Sequence, residues 1–373
     1  MKFTVNKSEI LQVLSKVQGL TGRKTNLAIT TNVLITATTT GIMIRATDLE
    51  TGFEGLFPAK VEREGSVAIQ ARKLFEIVRD FPSDEIHINE IENHWIEIGN
   101  KNVEYHLVGM NPDDFPELPQ VEDMSFFEID AVALIRMIER TVFISGASDD
   151  KRAHIVGLYV EARENQDQRS MHIVSTDGSR LSKVDYLFDK DVQLPFTESV
   201  LVPKKGMVEV AKFLEPEETV QCGIQDNNLV VKKENETIIV RLLEGEFPEY
   251  DDIIRTRENA KRIPLERHLF LMMLKRMSIL STEEYRSVIF HFINDKLLIT
   301  STNPDIGESK EDMEIQFDAD PIEVAFNPRF FIEALNVISS DKVLLDIVDD
   351  EKPCMLAGEG EPGFITVIMP MRI

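Results

Sequence analysis

Apolar and polar residues alternate in three stretches of this chain that lie about 125 residues apart. The stretches are GIMIRATD (41–48), SMHIVSTD (170–177) and DKLLITSTN (295–303), and each ends at Thr followed by Asp or Asn. Each follows another apolar run: NVLITAT, VGLYVEA or SVIFHFI. Alternation with a period of two, interrupted by a short polar break, predicts a β-hairpin. The pattern therefore predicts three similar hairpins.

Each predicted hairpin lies between two helical patterns. Those before the hairpins are SEILQVLSKV, VALIRMIERT and HLFLMMLKRM. After each hairpin a short strand runs into a second helix, in VAIQARKLFEIV, VLVPKKGMVEVA and EVAFNPRFFIEAL. A unit that recurs three times indicates three copies of one α+β domain, with a sheet layer outside a helix layer. We expect the domains at 1–122, 123–254 and 255–373.

Composition and the N-terminus indicate a cytoplasmic protein. The 373 residues are 43% hydrophobic and 28% charged, so each third can bury an ordinary core. No apolar run approaches the roughly 18 residues of a membrane span, and MKFTVNKSEI lacks a signal-peptide pattern. Cys222 and Cys354 lie in apolar strand patterns without disulfide-type or metal-type spacing, so we predict buried thiols.

Charge is distributed unevenly along the chain. The net charge of −24 argues against nucleic acid as a ligand, because phosphate contacts need cations. The predicted helices, however, carry 16 Lys and Arg against 6 Asp and Glu, while the rest of the chain carries 25 against 59. Two interpretations stay open: ordinary solvated helix faces, or one positive face on an acidic protein. The segments counted are 7–24, 72–79, 131–140, 204–213, 265–276 and 328–337.

Equivalent positions of the repeat favour the second interpretation. Aligning the first helices brings three cations to one position, where the apolar stripe has turned toward solvent. These are Lys16, Arg140 and Arg276. Three more cations coincide near the start of the second helices, where positive charge opposes the helix dipole. These are Lys73, Lys205 and Arg329. A ligand outside the helices would account for both sets.

Motifs of catalysis are absent from the sequence. It contains no phosphate-binding loop, no Gly-x-Gly-x-x-Gly, no His pair at i, i+4 and no Gly-x-Ser-x-Gly. Acidic clusters could build a two-metal nuclease, but they lie in loop-like contexts typical of solvated turns. They are Asp113-Asp114, Asp149-Asp150, Asp251-Asp252 and Asp349-Asp350-Glu351. We expect no enzyme, no metal and no cofactor, and keep a nuclease and a structural protein without a DNA role as alternatives.

Several short motifs resemble those of one family along the whole chain. They are MKFTV at the start, DFPEL (114–118), STDGSRL (175–181), VPKKG (202–206), GEFPEY (245–250) and VIMPMRI (367–373). Together they closely resemble the bacterial sliding clamps, the beta subunits of DNA polymerase III. The resemblance implies a processivity factor of DNA replication: a homodimeric ring of six clamp domains, with helices lining the hole and antiparallel sheets outside. Such a ring encircles duplex DNA, slides without sequence specificity and tethers polymerases.

Simple geometry agrees with a ring of six domains. A domain of this size has a radius of gyration of about 14 Å, and six touching spheres of that mass leave a hole roughly 36 Å across. Four would leave only about 15 Å. Because duplex DNA is roughly 20 Å wide, two chains of three domains can encircle it and one chain cannot.

The resemblance and the charge pattern together predict which residues face DNA. Nine cations are expected to line the hole: Lys16, Arg23, Lys24, Lys73, Arg140, Lys204, Lys205, Arg276 and Arg329. The resemblance also implies a weaker contact from the loop SGASDDKRAHI, through Lys151, Arg152 and His154. The dimer is expected to form head to tail, with Tyr105 and Leu107 of one copy meeting Ile279 and Leu280 of the other. Lys73 has a second expected role, pairing there with acids of 308–314.

A pocket between the second and third domains is implied as the site for polymerase, clamp loader and other partners. Its expected lining is Ile155, Thr176, Gly178, Arg180, Leu181, Pro248, Ile253, Val367, Met369, Pro370, Met371 and Arg372. Partners would bind through a short motif of the Gln-Leu-x-Leu-Phe kind. Asp252 and Ser179 depart from the family pattern, so we expect a more acidic rim. From residue types alone, VIMPMRI is either an exposed docking surface or a buried final strand.

Overall fold

The computed structural model describes residues 1–22, 27–119, 124–144, 151–165, 168–189, 192, 194, 199–216, 218–255, 259–282 and 284–372. Within these residues the chain forms 25 β-strands, eight α-helices and three 3-10 helices. No helix in this part of the chain is long and apolar enough to span a membrane.

The strands fall into three successive sets. The first set is β1 (Lys2–Asn6), β2 (Asn32–Thr38), β3 (Gly41–Thr47), β4 (Thr51–Phe57), β5 (Lys60–Arg63), β6 (Gly65–Gln70), β7 (Glu85–Glu90), β8 (Trp95–Gly99) and β9 (Glu104–Val108). The second is β10 (Phe127–Asp130), β11 (Gly157–Asn165), β12 (Gln168–Thr176), β13 (Arg180–Phe188), β14 (Val200–Pro203), β15 (Thr219–Gln225), β16 (Asn228–Lys232) and β17 (Glu236–Arg241). The third is β18 (Lys261–Glu266), β19 (Val288–Ile293), β20 (Lys296–Asn303), β21 (Gly307–Glu314), β22 (Ile322–Phe326), β23 (Lys342–Ile347), β24 (Cys354–Gly358) and β25 (Phe364–Ile368).

Side chains cap the first turns of several of the eight described helices. The helices are α1 (Lys7–Thr21), α2 (Ala71–Asp80), α3 (Ala131–Val142), α4 (Ala153–Val156), α5 (Lys204–Phe213), α6 (Asp251–Ile254), α7 (Arg267–Met277) and α8 (Pro328–Val337). The 3-10 helices are Ala28–Thr31, Pro112–Asp114 and Ser278–Leu280. Asn6 accepts a hydrogen bond from the Ser8 N–H at 2.9 Å, which satisfies one of the free donors at the start of α1. Asp130 caps α3 in the same way, through the Ala133 N–H at 2.8 Å.

One order of elements occurs three times, and it confirms the predicted α+β repeat. The order is strand, helix, four strands, helix, three strands, if β5 and the short helices α4 and α6 are counted as insertions. Each repeat supplies two four-stranded groups, and neighbouring strands are antiparallel throughout. Leu14, Ile138 and Leu274, which the alignment of the first helices superposes, are all fully buried. Cys222 and Cys354 are buried free thiols, as predicted.

Successive repeats are joined by pairing between strands. Strand β4 pairs with β17, where Thr51 lies opposite Val240, and we call this pairing the first junction. Strand β13 pairs with β25, where Arg180 lies opposite Ile368, and this is the second junction. In both junctions the fourth strand of one repeat meets the last strand of the next. The fourth strand of the third repeat is β21 and the last strand of the first repeat is β9. Each of them lies at the edge of a described sheet.

The contacts within the chain divide it into two compact units. The first is built chiefly from Met1–Ile135 and Lys205–Leu242, and the second chiefly from Arg136–Asp191 and Leu243–Ile373. The middle repeat is therefore shared: β10 and β15 to β17 belong to the first unit, and β11 to β14 to the second. The domain limits at 1–122, 123–254 and 255–373 consequently stay a prediction.

Candidate functional site

Three of the predicted DNA-facing cations are exposed on helix surfaces. Lys73 on α2 is paired with Glu76 at 2.7 Å, and Arg329 on α8 with Glu333 at 2.6 Å. Arg276 on α7 is held by Glu311, with 2.9 Å between Nε and a carboxylate oxygen. Exposed ion pairs of this kind contribute little to stability, because water screens both charges. These cations can therefore exchange their carboxylate for a phosphate at little cost.

Lys16 and Arg140, by contrast, are engaged inside the protein. The Lys16 ammonium lies 2.6 Å from Glu215 and 2.8 Å from Glu236. Burial opposes its charge, but the hydrogen bonds with these two carboxylates outweigh burial and raise the pKa of Lys16. Arg140 is buried, pairs with Glu361 and has its guanidinium 4.8 Å from the centre of the Phe364 ring. A side chain so enclosed cannot face a water-filled hole, so the prediction for Arg140 needs correction.

The other predicted cations differ in how much charge they present. Lys205 is partly buried and bonds to Asp48, with Glu50 at 3.3 Å. Lys204 is half-buried, and burial together with the nearby Arg180 lowers the pKa of Lys204. Lys151 and Arg152 are exposed before α4, and His154 within it is half-buried. Arg23, Lys24 and residues 145–150 lie outside the described residues.

The predicted partner site is partly assembled at the second junction. Leu181 on β13 lies opposite Val367 on β25, and both belong to an apolar cluster with Val174, Tyr250 and Met355. Met369 follows β25 and is 41% exposed. The end of the chain thus combines the two alternatives for VIMPMRI, a buried strand and then an exposed methionine. Of the remaining predicted lining, Gly178, Pro248, Ile253 and Arg372 are exposed, Pro370 and Met371 are half-buried, and Ile155 and Thr176 are buried.

A tight turn between β12 and β13 shapes one end of this site. Asp177 accepts hydrogen bonds from the N–H groups of Ser179 and Arg180, at 3.0 and 3.2 Å. Gly178 has φ of 89°, a conformation that glycine adopts without strain. The Arg180 guanidinium is buried between Asp177 at 2.9 Å and Glu333 at 2.6 Å. Arg180 therefore positions the turn and does not line an open pocket, which corrects its predicted role.

Phe247 and Tyr250, which the sequence prediction missed, hold the segment before α6 against strand β11. The Phe247 ring stacks on Tyr159, with ring centres 4.7 Å apart. Tyr250 donates a hydrogen bond to Glu161, and Arg163 bridges Tyr250 at 2.9 Å and Asp251 at 3.0 Å. Burial and the Glu161 carboxylate raise the pKa of Tyr250. The two aromatics of GEFPEY were the available signal, because aromatics in a polar linker need apolar surface to cover them.

His172 lies beside this polar network and makes its stability depend on pH. Its ring is 3.1 Å from Asp185 and 3.9 Å from Glu161, with Lys183 and Arg163 nearby. Burial, followed by the charge of Lys183, lowers the pKa of His172 to about 4. An unfolded histidine titrates near pH 6.5, so between about pH 6.5 and 4 the unfolded chain binds the extra proton. This contribution to stability is therefore full above that window and is lost as the pH falls through it.

We expect His172→Asn to flatten the loss of stability between about pH 6.5 and 4, because the substituted chain has no proton to take up at this position on unfolding. Urea unfolding at half-unit pH steps measures the slope. His291→Asn, on β19, controls for removal of an imidazole elsewhere in the same unit. An unaltered slope for His172→Asn would show that another group causes the acid sensitivity.

Two of the predicted dimer residues lie on the edge strand β9, and the other two lie in the 3-10 helix Ser278–Leu280, which contacts β21. Tyr105 is exposed and Leu107 half-buried on β9. Ile279 is 74% exposed just after α7, and Leu280 is half-buried, with its carbonyl oxygen accepting a hydrogen bond from Asn303 at 3.0 Å. The outer face of β8 and β9 carries the group of described residues whose ligand atoms could surround a cation, Glu97, Glu104 and His106.

Comparison with known proteins gives a consistent result along the whole chain. Models of the N-terminal, central and C-terminal domains of the DNA polymerase III beta subunit match residues 1–119, 128–249 and 255–372. The chain belongs to the bacterial sliding clamp family. It is 28% identical over 373 residues to the beta sliding clamp of Chlamydia pneumoniae, covering 100% of this chain and 99% of that protein.

Solved structures of the family have the same fold. A DNA polymerase III beta subunit from Eubacterium rectale is 28% identical, covers both chains completely and has a TM-score of 0.91. A sliding clamp from Bartonella birtlesii bound to griselimycin is 26% identical, also covers both chains completely and has a TM-score of 0.93. The family consists of non-catalytic processivity factors, and these comparisons indicate no enzymatic family.

Proposed function

We propose that two copies of this chain close head to tail into a ring that encircles duplex DNA, slides along it and tethers polymerases, the clamp loader and other partners at the second junction. The observation that carries this proposal is the pairing rule of the junctions. Both pair the fourth strand of one repeat with the last strand of the next. Among the described strands in these two positions of the repeat, only β21 and β9 have one edge that no other described strand pairs with. The same rule supports pairing of β21 in one copy with β9 in the other.

Equivalent positions define the register of that contact. Isolated bridges join Ala68 to Met110, Leu201 to Leu243 and Ala325 to Met371, one in each repeat. Counting four residues back from Met110, Leu243 and Met371 makes His106, Ile239 and Val367 equivalent. On the other side of the contact, the hairpin partners of Thr47, Thr176 and Thr302 make Gly52, Leu181 and Glu308 equivalent.

The proposed register would bring one pair of opposite charges face to face. Ile239 faces Gly52 and Val367 faces Leu181, so His106 is expected to face Glu308 of a second copy. Two residues further along the antiparallel pair, Glu104 would face Lys310 of the second copy. Opposite charges at directly facing positions stabilise a strand pair by about 0.2–1 kcal/mol. Two such contacts related by a twofold axis close a ring, since each copy contributes one β9 and one β21.

Sequence-independent attraction to DNA fits the exposed cations. Lys73, Arg276 and Arg329 present charge on helices that bury their other faces. A ring retains DNA by enclosing it, so a few weakly held cations suffice, and tight phosphate contacts would oppose sliding. The acidic remainder of the chain would repel DNA from the outer surface.

Retention on circular DNA tests the function. A nicked plasmid loaded with this protein by a bacterial clamp loader and ATP should keep it through gel filtration in high salt and release it when a restriction enzyme linearises the circle. A protein bound only by phosphate contacts would leave both forms alike in high salt. Cleavage of the plasmid in Mg²⁺ would instead support a nuclease, and a lack of retention on either form would contradict the ring.

A further inference from the structure

Two glutamates and a histidine lie together on the exposed face of the hairpin formed by β8 and β9. Ile96 and Ile98 on β8 are buried, so Glu97 between them points to the opposite face of the sheet. Glu97 lies directly opposite His106 on β9, and Glu104 lies two residues before His106 on the same face. We call these three residues the hairpin cluster. It has no metal-type spacing along the chain, because two strands assemble it.

The ligand atoms of the hairpin cluster are close enough to share one cation. All three lie within 4.8 Å of one another, and His106 Nε2 is 3.1 Å from a Glu104 carboxylate oxygen. Ligand atoms of a tetrahedral zinc site, each about 2.0–2.2 Å from the metal, lie about 3.3–3.6 Å apart. The distance between His106 and Glu104 is close to this spacing, and rotation of the Glu97 side chain closes the rest.

The protein does not balance the negative charge of the hairpin cluster. No lysine or arginine pairs with Glu97 or Glu104 among the residues that the structure describes. The next side chain across the sheet from Glu97 is the neutral Asn89, which accepts a hydrogen bond from Arg63 at 3.2 Å. Lys2, one strand further, pairs with a different glutamate. A bound cation would therefore relieve the repulsion between two neighbouring carboxylates.

The donor set of the hairpin cluster selects a class of metal. An imidazole nitrogen combined with carboxylate oxygens suits Zn²⁺ and related first-row cations. Mg²⁺ and Ca²⁺ prefer oxygen ligands alone. Three protein ligands also leave the fourth position of a tetrahedral site open to water or to a further ligand.

The structure assigns to the hairpin cluster a divalent metal site of the zinc class, held by Glu97, Glu104 and His106. One copy of the chain supplies all three ligands, so the site itself goes beyond the proposed function. It lies on β9, the strand that the proposed ring pairs with β21 of a second copy.

A second copy would complete the site, and this extension rests on the proposed function. In the proposed register Glu308 of the second copy directly faces His106, which brings its carboxylate to the open fourth position. Lys310 of the second copy faces Glu104 and competes for one of its two carboxylate oxygens, which leaves the other oxygen for the metal. A bound ion would thus link the two copies across β9 and β21.

Calorimetry and tryptophan fluorescence with the full chain test the site. Trp95 is the only tryptophan of the chain and lies two residues before Glu97 on the same face of β8, so paramagnetic Co²⁺ bound in place of Zn²⁺ quenches its emission. After removal of metal with EDTA, we expect one Zn²⁺ to bind per chain. Glu97→Gln and His106→Gln should each weaken Zn²⁺ binding at least tenfold and remove the quenching by Co²⁺.

Two other histidines of the first repeat provide matched controls. His94 lies 3.3 Å from Glu90, and His87 lies 2.7 Å from the Thr4 hydroxyl. His94→Gln and His87→Gln should bind Zn²⁺ as tightly as the unaltered chain. The unfolding temperature without metal should be the same for the ligand variants as for these controls, which separates lost binding from lost folding.

The variant Leu280→Asp, which we expect to be monomeric, separates the site from the ring. It keeps the hairpin cluster and should bind Zn²⁺ several-fold more weakly than the dimer. Glu308→Ala should weaken binding in the dimer and have no effect in the monomeric variant. Equal affinity of monomer and dimer overturns the fourth ligand alone. If Leu280→Asp stays dimeric, the proposed interface is misplaced, while the ligand variants still report on the hairpin cluster.

Each remaining outcome overturns the metal site or its class. Absence of Zn²⁺ binding up to millimolar concentration overturns the site. Binding that none of the ligand variants weakens is that of an adventitious ion only, and loss of binding in His94→Gln places the ion beside Glu90 instead. Displacement of Zn²⁺ by an equal concentration of Mg²⁺ overturns the assignment to the zinc class.

Discussion

Replacing Leu280 with aspartate is expected to separate the proposed dimer into folded monomers. Leu280 and the exposed Ile279 form the apolar surface beside β21 that Tyr105 and Leu107 of a second copy would cover. A carboxylate buried there without a partner costs several kcal/mol, and the cost applies at both contacts of the ring. Sedimentation at micromolar concentration measures the mass. Ile293→Asp, at an exposed apolar position on β19, is the matched control and should stay dimeric.

The strand register within the same contact is tested by charge reversal. Lys310→Glu places two carboxylates opposite each other, against Glu104 of the second copy, and over two contacts this weakens the dimer by about 1–4 kcal/mol. Adding Glu104→Lys should restore the dimer, because the pair is then reversed and complementary. Lys296→Glu, which removes an exposed pair with Asp312 on the neighbouring strand, controls for the change in net charge. If the double variant stays monomeric, the proposed register is wrong, because only that register brings residue 104 opposite residue 310.

Binding of a Gln-Leu-x-Leu-Phe peptide is expected to fall by about 10²–10³-fold in the double variant Met369→Ala, Met371→Ala. The exposed Met369 side chain lies directly beyond the Leu181 and Val367 pair, and methionine surfaces adapt to the apolar anchors of different partners. Alanine keeps the backbone bond from the Met371 N–H to Ala325, at 2.8 Å, so the dimer should persist.

One further variant makes the peptide result specific. Ile293→Ala removes an apolar side chain that is 39% exposed, close to the exposure of Met369, from a strand outside the site. Its peptide affinity should equal that of the unaltered chain. If the double methionine variant also binds normally, the partner site lies elsewhere on the surface.

Local patterns along the chain were sufficient to predict the repeat. Alternation marked the hairpins, and helical patterns marked the first helices, on which Leu14, Ile138 and Leu274 are buried, because both signals come from the burial of one face. Pairing of β4 with β17 could not be predicted in the same way. It joins strands more than 180 residues apart in sequence, and nothing in the pattern of either strand names its partner.

Side-chain roles at equivalent positions were harder to predict than the positions themselves. Arg140 and Arg276 occupy one place in the repeat, yet Arg140 is buried against Glu361, which lies 221 residues away, whereas Arg276 is exposed. The carboxylate that decides this difference comes from a distant loop. The backbone strain at Leu49 was equally hidden, since only comparison with Gly178 in the folded chain shows that a glycine-type turn carries a leucine.

The pairing rule also determines how the proposed ring can open. The first and second junctions join parts of one chain, so they cannot separate from the assembly. The two contacts between copies can, but after one of them opens, the other still holds both copies together. The loose β9 and β21 edges then meet again at a high effective concentration instead of by diffusion from solution. In the proposed ring a single opening would suffice to admit DNA, whereas release of a free copy would require both contacts to be open at once, so admission would be more frequent than disassembly.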